Sequence, residues 1–93
     1  MTEEVIALKL TSGEEIISRV VSRTEEIIIL DRPNMIGLAA APDGGVAIQL
    51  MPWMASNQDS EITVFTNHIV GQTKPNAELE KGYLSRTSGI ALI

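Results

Sequence analysis

Residues 5–21, VIALKLTSGEEIISRVV, constrain the fold more than any other stretch of the chain. Ile6, Leu8 and Leu10 alternate with Ala7 and Lys9, so one face of this first segment is apolar throughout. Beyond Thr11-Ser12-Gly13-Glu14, Ile16, Ser18 and Val20 fall on one face and Ile17, Arg19 and Val21 on the other. Period-two alternation on both sides of a glycine-bearing turn is the pattern of an antiparallel hairpin. Gly13 is the residue expected to supply the positive φ that such a turn demands, since it has no Cβ to clash there.

The rest of the chain repeats this theme. A polar break, SRTEE, precedes Ile27-Ile28-Ile29-Leu30, a run of branched side chains that predicts a strand buried on both faces, or buried on one and at an interface on the other. Pro33 has no N–H to donate and is expected to stop that ladder. Residues 35–41 read as a strand end or a packed loop. Pro42-Asp43-Gly44-Gly45 is the clearest turn. A strand over residues 46–54 follows, closed by Pro52-Trp53, and after the polar loop ASNQDS a last strand runs from Ile62 to about Val70. Strands without intervening helices exclude a parallel α/β sheet. The reading is all-β: a five-stranded antiparallel small barrel, with edges either curled into closure or paired with a next subunit as a ring. Pro75, early Glu78 and Glu80, and late Lys81 and Arg86 predict a short helix over residues 74–86, with Gly82 weakening it. The apolar end, residues 88–93, is expected to pack against something.

Length allows one domain, residues 1–93, with a barrel over about residues 5–70 and a helical tail over residues 74–93. Hydrophobic residues make up 44%, which is more aliphatic surface than a thin single core hides and points to burial between subunits. Net charge is −5, which lacks the basic footprint of a dedicated nucleic-acid binder. With no cysteine, thiolate metal sites and disulfides are excluded. The start, Met1-Thr2-Glu3-Glu4, has no basic n-region or apolar run, so an intracellular, cytoplasmic protein with no membrane partner is expected.

No stretch carries a catalytic pair, a cofactor motif or a metal-ligand spacing, and the expectation is a non-enzymatic protein without cofactors. His68 is the sole histidine and has no partner at a useful spacing, so a structural or exposed role outweighs a catalytic one. Asp43 with two glycines is explained by a turn and lacks the oxygen-ligand spacing of a calcium loop. Trp53, after Pro52, is a core or interface anchor before it is a base-stacking platform. Arg19, Arg23 and Arg32 could form a repeated circlet facing phosphates in a ring; the competing expectation is a solvated surface partnered by Glu14, Glu15, Glu25 and Glu26.

Leu8-Lys9-Leu10-Thr11-Ser12-Gly13-Glu14-Glu15-Ile16 resembles the first half of the Sm1 motif of the Sm-like family, and Val20 matches a later aliphatic position. Val64-Phe65-Thr66-Asn67-His68-Ile69 resembles the Sm2 strand, in the version found in bacterial Hfq. With the Pro52-Trp53 strand and the Tyr83…Thr87-Ser88-Gly89-Ile90 tail, the chain is most similar to small Sm-like proteins of marine cyanophages. The resemblance implies a strongly bent five-stranded barrel, Sm-like/SH3-like, and a homo-oligomeric ring of roughly five to seven copies. It implies that the fourth strand of one copy joins the fifth of its neighbour, which assigns Val46, Ile48, Leu50, Ile62 and Val64 to the interface. It also implies single-stranded RNA as a partner. The family's Asp and Asn, eleven and fifteen residues after the hairpin glycine, fall here on Thr24 and Ile28, and the second-motif basic pair falls on Thr66-Asn67. Mid-strand glycine is replaced by Ser18, and the family's N-terminal helix is missing. Thr66, Asn67, Arg23 and Arg32 are therefore the RNA-binding candidates. The alternative is an assembly or protein-interaction module that has lost Sm-type RNA binding.

Overall fold

The computed structural model describes residues 4–57 and 61–87. Antiparallel strands β1 (Val5–Leu10) and β2 (Glu15–Arg23) form the expected hairpin, with Leu8 opposite Ile16 and Lys9 opposite Glu15. Gly13 closes it at φ +100°, its N–H donating to the Leu10 carbonyl at 2.8 Å. Both faces of the hairpin are used. Ile6, Leu8, Leu10 and Ile16 join Ile28, Leu30 and Val64 in the main core, while Val5 and Ile17 pack on the opposite face with Tyr83.

Strand β3 (Ile27–Ala40) runs straight through Pro33, where the sequence suggested a stop. Pairing with β2 jumps from Arg19↔Asp31 to Ile17↔Asn34, so Arg32 and Pro33 are accommodated as a bulge opposite Ser18. The missing proline N–H therefore costs no ladder bond, and residues 35–40 continue as strand rather than loop. Arg32 takes φ +51°, a left-handed conformation that a non-glycine residue adopts only under tertiary constraint.

That bend organises the partner strands. β4 (Val46–Pro52) pairs with the far half of β3, from Ala40↔Val46 to Asn34↔Pro52. β5 (Glu61–Phe65) pairs with the near half, from Asp31↔Glu61 to Ile27↔Phe65. β4 and β5 are thus a single strand in register terms, interrupted by the loop that leaves the sheet opposite Arg32 and Pro33. A 3-10 turn at Thr66–His68 then leads into β6 (Ile69–Thr73), which pairs with β1. The five strands expected from sequence are six as built, in the order β4-β3-β2-β1-β6 with β5 also on β3. What reads as one last strand from Ile62 to Val70 is split between the two ends of the sheet.

Helix α1 (Ala77–Thr87) starts just after Pro75, with Asn76 as its cap: the Asn76 side-chain oxygen accepts from the Leu79 N–H at 2.8 Å. Leu79, Tyr83 and Leu84 lie against Val5, Ile17, Ile36 and Leu50, sealing the face of β2–β4 that the main core does not fill. The helix makes more than apolar contact. The Tyr83 hydroxyl accepts from the Arg19 N–H at 3.0 Å and donates to the Asp31 carbonyl at 2.7 Å, so it is inserted into the β2–β3 ladder between paired residues at the bend. Residues 88–93, expected from sequence to pack against something, lie outside the described residues.

Candidate functional site

Two turns carry the positions where the family resemblance put RNA contacts, and the fold brings them together. The β2–β3 turn is closed by Thr24, whose hydroxyl oxygen accepts from the N–H groups of Glu26 and Ile27, both at 3.2 Å. The 3-10 turn after β5 docks on it: the Thr66 N–H donates to the Glu26 carbonyl at 2.9 Å and its hydroxyl to the Glu25 carbonyl at 2.6 Å. A shallow hollow of about 380 Å³ between them is lined by Glu25, Glu26, Phe65, Thr66 and Asn67. Thr66 and Asn67 are thus neighbours of the turn expected to hold the acidic ligand, but the Thr66 hydroxyl already serves as a clamp on backbone. The other expected ligand position, Ile28, is fully buried, opposite Val64. Glu25 and Glu26 line this hollow, and their carboxylates repel a phosphate.

The arginines do not converge on that hollow. Arg23, at the end of β2, donates to the Gln72 side chain of β6 at 3.0 Å. Arg32 sits at the bend with its guanidinium forked onto the Asp31 carboxylate, both contacts at 3.2 Å. Arg19 lies 5.2 Å from the Tyr83 ring centroid and donates to Thr87 at 2.7 Å, with Asp31 at 3.9 Å. Partnering by Glu14, Glu15, Glu25 and Glu26 is therefore replaced, for Arg19 and Arg32, by Asp31. Arg86 adds to the same network by donating to the buried Asn34 at 3.1 Å. Arg19 and Arg86 hold the helix to the bend.

His68 is exposed, with its Nδ1 3.5 Å from the Thr11 hydroxyl, and its carbonyl accepts from the Thr11 N–H at 2.8 Å. It ties the 3-10 turn to the β1–β2 turn. Asp43 acts as a turn residue, accepting from the Gly45 N–H at 2.9 Å beside Gly44 at φ +90°. Trp53 packs on the main core and its indole N–H donates to Glu14 at 3.3 Å, clipping the interrupted strand to the first hairpin. Among the described residues, no group of three His, Cys, Asp or Glu is placed to hold a metal ion.

The sheet edges carry more unused surface than any pocket. Among the described residues, β4 and β5 pair only with β3, and β6 only with β1, so each presents a free edge. On the β4 side Val46 is 72% and Ile48 54% exposed, while Leu50 is half-buried against the helix. Ile62 and Val64 point the other way: Val64 belongs to the main core and Ile62 packs on it. The second edge expected over residues 62–65 is therefore displaced to β6, where Val70 is 65% exposed. Sequence reading missed Val70, because in an unbroken strand it falls at the fraying end.

A family model matches the bent sheet from Ala7 onward, with the Sm1-type hairpin at its centre. The Sm_like domain model covers residues 7–84. The chain belongs to the Sm-like family. No curated protein matches it. In this Sm-like chain the match takes in helix α1 as far as Leu84, so the helix that seals the second face lies within the family domain. No helix among the described residues is long and apolar enough to cross a membrane.

Proposed function

We propose that this Sm-like chain is a non-enzymatic subunit of a homo-oligomeric ring, and that the ring serves as an assembly module. The β4–β5 edge of one copy pairs with the β6 edge of the next, a heterologous contact that closes on itself and leaves no strand edge unpaired. The observation that carries the functional half is the chemistry around Thr66 and Asn67. The hollow where a nucleotide would sit is bordered by Glu25 and Glu26, and the position that would recognise a base is the buried Ile28. Repeated around a ring, this makes a carboxylate-lined circlet suited to a protein partner. An intracellular setting goes with this reading, and so does the phage origin expected from the sequence resemblance.

The RNA reading has a specific observation in its favour: family membership, together with the apposition of the two turns that carry Thr24 and Thr66. Fluorescence anisotropy of oligo-U and oligo-A with the purified protein separates the two. An assembly module gives no saturable binding near physiological salt, with at most a weak, base-indifferent signal at low salt. Micromolar or tighter binding that prefers one homopolymer would establish the RNA reading and direct substitution to Thr66, Asn67, Arg23 and Arg32.

A further inference from the structure

The two turns that meet at the start of β3 are clamped to each other through backbone groups, which leaves a set of side chains unused. The Thr24 and Thr66 hydroxyls both bond to main chain of the β2–β3 turn, and the Thr66 N–H is bonded to the Glu26 carbonyl. Around the hollow between the turns stand the carboxylates of Glu25 and Glu26, the Asn67 carboxamide and the Phe65 ring. All four residues are exposed, Phe65 by 59%. None of the ion pairs among the described residues involves Glu25 or Glu26.

One exposed phenylalanine, or one pair of surface glutamates, is ordinary. Side by side they select a ligand. The negative face of the ring and the two carboxylates both attract a cation, and the ring adds a preference for one that is flat and weakly hydrated. A guanidinium is that group: it stacks on an aromatic face while its N–H fork bonds a carboxylate, which an ammonium cannot do. The chain does not place its own arginines there. Arg19, Arg32 and Arg86 are engaged at the bend, and Arg23 is bonded to Gln72. The residues outside the described ranges include no Lys or Arg.

We propose that this hollow binds an arginine side chain of a partner protein, its guanidinium stacked on Phe65 and bonded to the carboxylates of Glu25 and Glu26. This rests on the assembly reading above and names the chemistry of the partner. Charge complementarity argues for a basic protein segment over a nucleic acid, whose phosphates the same carboxylates repel. Because the two turns are already clamped together, binding orders side chains and leaves the backbone as it stands.

Fluorescence anisotropy at near-physiological salt tests this with a labelled Gly-Arg repeat peptide, blocked at both ends, against the same repeat built with lysine or with citrulline. A net charge of −5 draws any polycation, so discrimination between the peptides carries the result. The arginine peptide is expected to bind saturably and at least about threefold more tightly than the lysine peptide, and the uncharged citrulline peptide not at all. Phe65→Leu keeps apolar bulk and removes the ring; it should weaken binding about threefold to tenfold, as should Glu25→Gln combined with Glu26→Gln. Removing the same charge elsewhere, by Glu15→Gln with Glu78→Gln, should leave binding unchanged. All these positions are exposed, so the variants are expected to fold, which circular dichroism checks. Arginine and lysine peptides bound alike, or an affinity that Phe65→Leu leaves unmoved, would overturn the proposal. No binding of the arginine peptide would overturn it and leave the assembly reading standing, whereas base-selective binding of oligo-U or oligo-A would overturn both.

Discussion

The residue that does most for the fold outside the core is Tyr83. Its ring is fully buried and its hydroxyl replaces a direct backbone bond between Arg19 and Asp31. Removing only that oxygen leaves a partly buried N–H and a partly buried carbonyl without their bridge. Tyr83→Phe should therefore cost about 1–3 kcal/mol of unfolding free energy, measured by urea denaturation. An unchanged midpoint would mean that the ladder closes without the hydroxyl. Ser18 works at the same bend, its hydroxyl facing the carbonyls of Arg19 at 2.9 Å and Asp31 at 3.2 Å. A polar side chain thereby serves where the family has glycine. Gly13 carries the complementary backbone demand. At φ +100° a β-branched side chain is strained whatever the space around it, so Gly13→Val should lose about 1–3 kcal/mol, read as a lower melting temperature. A melting temperature equal to wild type would contradict the turn.

At the scale of elements, the bend in β3 decides everything that follows it. The bulge at Arg32 and Pro33 divides β3 between β4 and β5 and sets Asp31 where Tyr83 of α1 bonds to it. The helix has a weak point that is not required by packing, because Gly82 has room for a methyl group. Gly82→Ala is expected to stabilise the protein by up to about 1 kcal/mol, visible as a raised melting temperature; a fall would mean that the helix is pressed closer to Leu50 than it stands. The first hairpin, the Asp43 turn and the inward aliphatics of β1, β2 and β5 were legible because alternation and glycine placement are local signals. The continuity of β3 was not. A proline reads as a stop unless a bulge hides its missing donor, and the bulge depends on Ser18, distant in sequence. The same holds for the split of residues 62–70 into β5 and β6. Nothing in Val64-Phe65-Thr66-Asn67 announces that Thr66 will turn to clamp Glu25 and send the chain to the opposite edge. Asn76 was legible in principle as a helix cap, but Pro75 beside it drew the helix start too early.

At the scale of the whole molecule, the chain is a bent barrel with two sheet edges, and the positions of the family's Asp and Asn are held by Thr24 and Ile28. Of the nucleotide site, the motif puts Thr66 and Asn67 at the second-motif position, and the fold sets that position beside the β2–β3 turn. The hostile feature, Glu25 and Glu26 lining the same hollow, emerges only when the two turns meet. Arg32 could not be placed from sequence either, since its left-handed backbone and its pairing with Asp31 belong to the bend. Assembly through the edges should be sensitive to a single buried charge. Ile48→Lys puts an ammonium into the contact and should dissociate the ring at micromolar concentration while leaving the fold intact by circular dichroism, because Ile48 is 54% exposed in the single chain. An unchanged mass would place the interface elsewhere. The most direct test of the central claim is the molar mass of the wild-type protein itself, by light scattering at micromolar concentration. A ring gives an integral multiple of 10.1 kDa that persists on moderate dilution; the mass of one chain would rule the ring out.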